Sequence, residues 1–105
     1  MKRWFLLKAT GEVLEMALTW KPSLENLQGA VGGMVELVRL DGRTELWCNE
    51  EGKLIGLALN HTATNIWHFF YGPTDMVVGD VLLAIGARTR RNQAVLDGFA
   101  ARRAS

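Results

Sequence analysis

The sequence predicts an α+β domain: one mixed or antiparallel sheet of about five strands with two to three helices. Three observations carry that expectation. The chain has 105 residues, enough for one core and too few for two. Short strand-like runs are separated by turn signals at Thr10-Gly11, Asp41-Gly42 and residues 49–52. Apolar residues recur at helical spacing in two places, Leu24-Leu27-Val31 and Val95-Leu96-Phe99.

Taken in order, residues 4–8 and 12–19 read as two strands of an N-terminal hairpin turning at Thr10-Gly11. In the second run Leu14, Met16 and Leu18 face one way, and Val13, Glu15, Ala17 and Thr19 the other. Lys21-Pro22-Ser23 punctuates the chain. Proline cannot continue a ladder, and Ser23 suits a helix N-cap. Glu25 falls in the first turn, where the helix dipole favours an anion, and Gly32-Gly33 suits the helix end.

Residues 34–40 and 44–48 read as a second hairpin. Its Asp41-Gly42 turn is expected to place both central residues at positive φ. Residues 53–59 are apolar with no assigned state. Asn60 or Thr62 is expected to cap a helix reaching Tyr71, stopped by Gly72-Pro73. Residues 76–85 form the most apolar run and predict a central strand bent at Gly79-Asp80. Residues 89–103 predict a closing helix with Val95, Leu96, Phe99 and Ala100 on its apolar face. No composition break divides the chain: 1–20 is the hairpin, 27–85 the central part and 88–105 a basic C-terminal helix.

Hydrophobic residues make up 49% and charged residues 22%, which argues against wholesale disorder. The net charge of +1 excludes a strongly basic nucleic-acid coat, so nucleic acid is not an expected partner. Cys48 is the only cysteine, which rules out an intrachain disulfide and fits a reducing compartment. The apolar start at residues 4–7 is cut short by Lys8, well below the roughly 7–15 residues of a signal core. No run approaches the roughly 20 apolar residues of a membrane span. The expected location is cytoplasmic, without a membrane partner.

The chemistry-bearing residues do not converge on a catalytic set. The glycine cluster of residues 29–33 lacks the Lys-Ser/Thr of a P-loop and ends a helix instead of starting one. Glu50-Glu51 are adjacent carboxylates on a turn, where solvation is the ordinary state. His61 and His68, seven residues apart, would lie about 10 Å apart along one helix, too far to share an ion. Cys48 beside Trp47 reads as a packed thiol. No cofactor and no metal are expected.

Charge asymmetry points elsewhere. Residues 88–105 carry Arg88, Arg90, Arg91, Arg102 and Arg103 against Asp97 alone, a local charge of +4 in a chain of net +1. Such a bias suits an anionic partner. No aromatics interleave these arginines, so a base-stacking groove is not indicated.

An ordered series marks the centre of the chain: the string Leu27-Gln28-Gly29-Ala30-Val31-Gly32-Gly33-Met34-Val35-Glu36, then Asn49-Glu50-Glu51-Gly52-Lys53-Leu54, then Asn60 with Ala63-Thr64, then Gly79-Asp80-Val81. This series resembles a family of small domains of unknown function found in bacteria, bacteriophages and mobile plasmids. The likeness spans about residues 27–85. It marks Gln28, Gly32, Gly33, Glu36, Glu51, Gly52, Asn60, Ala63, Thr64 and Gly79-Asp80. Ala58-Leu59 stands where the family usually has a proline. The resemblance implies an accessory protein of a phage or mobile element.

The expected function is non-enzymatic: binding of a host protein or anionic ligand, to counter a host defence or regulatory pathway. The candidate binding residues are Glu51, Asn60, Thr64, Arg88, Arg91, Arg102 and Arg103. The alternative is a nucleotide-binding sponge in which the glycine segment, Glu51, Asn60 and Thr64 line the pocket. A small hydrolase using Glu50 or Glu51 with His61 or His68 ranks third. Trp67, Phe69, Phe70 and Tyr71 are consecutive or nearly so. At about 100° per residue they would wrap a helix, and a homodimer is the simplest cover.

Overall fold

The structure is a computed structural model that describes residues 2–104, the side chains of Arg103 and Ala104 excepted. Its elements run β1 (Arg3–Leu7), β2 (Val13–Glu15), α1 (Leu24–Val31), β3 (Val35–Asp41), β4 (Thr44–Asn49), α2 (His61–Tyr71), β5 (Val81–Ile85) and α3 (Arg90–Ala104). The five strands form one sheet in the order β2-β1-β5-β4-β3, and every neighbouring pair is antiparallel.

β5 sits at the centre of the sheet, and all five of its residues are buried. Side chains alternate across a strand, so one strand feeds two cores. Leu82 and Ala84 join Trp4 and Leu27 beneath α1. Val81, Leu83 and Ile85 join Phe5, Leu7, Leu46, Ile66 and Phe99 beneath α2 and α3. Both sheet faces are thereby covered, which explains the unbroken apolar composition of β5.

The helix ends follow local chemistry. Ser23 accepts from Asn26 N–H at 3.1 Å while the Asn26 side chain accepts from Ser23 N–H at 3.0 Å, a reciprocal cap. Gly32 closes α1 at φ 79°, a left-handed conformation that glycine adopts without a Cβ penalty. Asn60 caps α2. Thr89 and Asn92 form a second reciprocal cap at the start of α3, with bonds of 3.0 and 2.8 Å.

Four local expectations are corrected. The second strand ends at Glu15, not Thr19: after Met16 N–H bonds Trp4 O, the chain turns, and Trp20 N–H bonds Ala17 O. The turn after Asp41 contains no residue at positive φ. Its geometry comes instead from Asp41 Oδ1 accepting from Arg43 N–H at 2.7 Å, beside a register shift between Arg39 and Asp41. The run 76–85 is a strand only from Val81. Gly79 takes φ 76° and its Cα lies so close to Leu57 that a Cβ would meet Cδ1 at 2.6 Å. Residues 76–80 keep a single bridge, Leu59 to Val78. On α3, Ala100 is exposed while Val95, Leu96 and Phe99 are buried.

Candidate functional site

The residues proposed from sequence fall into two groups. Asn60 and Thr64 are buried. The Asn60 amide donates to Leu7 O at 2.9 Å and Gly79 O at 2.8 Å, and its oxygen accepts from Ala63 N–H at 2.9 Å. Thr64 Oγ1 accepts from Val77 N–H and donates to Val77 O. These two side chains clamp α2 to β1 and to the irregular segment before β5. Glu51 lies exposed in the turn after β4, where its N–H bonds Asn49 Oδ1. The glycine segment at the end of α1 meets the Glu51 turn through Asn49, whose amide donates to Val31 O at 3.2 Å, while Asn60 and Thr64 lie under α2 on the opposite face of the sheet. The structure therefore does not bring Glu51, Asn60, Thr64 and the glycines into one pocket.

The arginines lie along the other face. Arg88 is exposed and borders a shallow cleft with Arg3, Gln93 and Asp97. Arg91 places its guanidinium 5.9 Å over the Phe70 ring. Arg102 donates to Thr62 Oγ1 at 3.0 Å and to Gly11 O at 2.5 Å. The side chain of Arg103 lies outside the described residues.

These contacts orient the two helices. Arg102 in the last turn of α3 meets Thr62 in the first turn of α2, and Arg91 in the first turn of α3 meets Phe70 in the last turn of α2. α2 and α3 thus run in opposite directions. Between them opens a groove of about 500 Å³. Ile66, Phe69, Val95 and Phe99 supply its apolar lining, while His61, Asn65 and Arg102 add polar groups. Gly98 contributes room, since a Cβ there would meet nothing within 4 Å. A helix-interior glycine is otherwise unfavourable by roughly 1 kcal/mol. Arg91 and Arg102 are eleven residues apart, so they share one helix face about 16 Å apart.

The aromatic cluster of α2 divides. Phe70 is buried, and Trp67 is half-buried with its Nε1–H donated to Thr74 Oγ1 at 2.9 Å. The Tyr71 hydroxyl donates to Arg39 O. Phe69 is 51% exposed in the groove wall.

Elsewhere, the candidates for acid-base chemistry stay apart. His61 borders the groove, while the ring of His68 bonds Asp75 O at 2.9 Å. Glu50 lines a separate cavity of about 160 Å³ with Cys48, and Lys53 pairs with Asp75 there. Lys53 and the Met76 N–H hold the Asp75 carboxyl below its ordinary range. Burial, with Glu36 adding, pushes the Cys48 thiol up from 9.0 to about 12. Among the described residues no three His, Cys, Asp or Glu side chains could hold a metal ion together, and no helix is long and apolar enough to cross a membrane.

A further pocket, which sequence reasoning missed, lies on the α1 face. Trp4, Trp20 and Trp47 come together around about 790 Å³ of space. The sequence signal was the high tryptophan count for this length.

Fold and surfaces define a single-sheet α+β domain that carries a helix-walled groove on one face and a tryptophan pocket on the other. The chain belongs to the family described as domain of unknown function DUF3846, whose model matches residues 1–98. That match takes in the N-terminal hairpin and much of α3, beyond the central strings. No curated protein and no solved structure matches the chain.

Proposed function

We propose that this is a non-catalytic binding domain, an accessory protein of a phage or mobile element, whose α2–α3 groove takes an acidic, partly apolar segment of a host protein. The observation that supports it is the groove itself: an apolar lining with a half-exposed Phe69 and Arg102 in its wall, with Arg91 outside the lining, over Phe70. Exposed aromatics and arginines at a concave surface are the residue types that dominate protein recognition. The cationic ends favour carboxylates and disfavour basic segments. The resemblance to phage and plasmid domains supplies the setting, and blunting a host defence or regulatory pathway is the role that fits it.

A photo-crosslinking residue in place of Phe69, introduced into the full chain in bacterial cells, tests the reading. The expected product joins position 69 to an acidic, partly apolar segment of another protein, and Arg102→Ser abolishes it. The same product at equal yield from a crosslinker at Leu54, which is 88% exposed and outside the groove, overturns the reading. A product joining two copies of this chain also overturns it, and makes the groove a dimer interface.

A further inference from the structure

The pocket on the α1 face is built differently from the groove. Its walls are the rings of Trp4, Trp20 and Trp47, with Pro22 beside them. Trp4 and Trp20 meet edge to face at 5.6 Å between centroids, which fixes their ring planes. Lys2 and Lys21 stand at the rim. Lys2 lies 6.0 Å over the Trp4 ring and pairs with Glu45. Lys21 is exposed and makes no ion pair among the described residues. The Trp47 indole N–H is buried and finds no acceptor among the described residues. A buried donor without a partner is unusual in a folded protein. One wall, residues 17–20, is a turn, not sheet or helix.

We infer that this tryptophan pocket binds a nucleoside monophosphate, with the base among the indole rings and the phosphate at Lys21 and Lys2. Two features select that class. Indole faces stack on planar rings of any base. Lysine ammonium groups at the rim meet a phosphate as point charges. A volume of about 790 Å³ exceeds what a single ring fills and lies within the usual range for small-molecule sites. The site shares no lining residue with the α2–α3 groove, so its failure leaves the protein-binding reading standing.

Isothermal titration of the full chain with the four 5′-monophosphates AMP, GMP, CMP and UMP tests the inference. At least one is expected to bind. The matching nucleoside and ribose 5-phosphate are each expected to bind about tenfold more weakly or worse, since each lacks half of the recognised groups. Trp20→Ala removes one of the stacking rings and should weaken the nucleotide about tenfold. Lys21→Ser, at an exposed position, should weaken the nucleotide and leave the nucleoside unchanged. If Trp20→Ala unfolds, Lys21→Ser alone decides. No heat with any of the four at millimolar concentration overturns the inference. So does ribose 5-phosphate binding as tightly as the nucleotide, or nucleotide affinity unchanged in the folded variants.

Discussion

The guanidinium of Arg102 donates to Thr62 Oγ1 at 3.0 Å, tying the last turn of α3 to the first turn of α2 across 40 residues of sequence. The same group reaches Gly11 O in the β1–β2 turn. One side chain thus fixes the end of the groove and joins three segments. Arg102→Gln should cost about 1 kcal/mol in urea unfolding, the ordinary worth of such exposed polar contacts. Amide exchange in the last turn of α3 should speed up. Unchanged exchange there would remove Arg102 as the fastener of the helix end.

Asn60 is expected to be the most sensitive polar position. Asn60→Ala removes a helix cap and leaves Leu7 O and Gly79 O without their donors, a loss of about 3 kcal/mol. Asn60→Asp keeps the cap but turns a carboxylate toward two carbonyls. Aspartate caps helices as well as asparagine does, so a purely local role would make Asp harmless. Thermal unfolding of the two variants separates these cases: the clamp requires Asp to be at least as damaging as Ala.

Thr44 is fully buried and its hydroxyl has no partner among the described residues. Thr44→Val keeps the shape and removes the unsatisfied group. Stability should rise by about 1 kcal/mol, or about 4 °C in the melting midpoint. A fall in the midpoint would mean that the hydroxyl has a partner in solution.

Cys48 should be inert while the protein is folded. With the thiol pushed up to about 12, the thiolate is negligible at pH 8. Iodoacetamide at that pH should modify the chain only after urea is added, as read by mass spectrometry. The raised value also has a stability consequence. Its contribution is complete below pH 9.0 and is lost as the pH rises through about 12. Cys48→Ala should therefore lose less stability than the wild type between pH 7 and pH 10.

What was legible in the sequence was mostly local. Ser23 caps α1 and Gly32 ends it because both signals act within a few residues of the helix end. The central strand was legible from residues 81–85 because burial on both faces leaves no polar alternation. Its start was not: composition does not reveal that Gly79 turns left-handed against Leu57. Arg102 stood out by charge, but its partners Thr62 and Gly11 come from distant segments. Asn60 and Thr64 stand in the sequence as candidate binding residues. Their explanation is a buried clamp whose acceptors lie on β1 and on the segment before β5. The tryptophan pocket depends on three rings from β1, the turn after β2 and β4, a convergence that only the sheet order creates.

The most direct test of the central claim is an unbiased map of the binding surface. Peptides selected from a random library against the whole domain are added to isotope-labelled protein, and backbone amide shifts are followed residue by residue. The account predicts acidic, partly apolar peptides whose shifts concentrate at His61, Asn65, Phe69, Ala94 and Gly98, the lining of the α2–α3 groove. Shifts concentrated on α1 or around Glu51, with the groove silent, would contradict it.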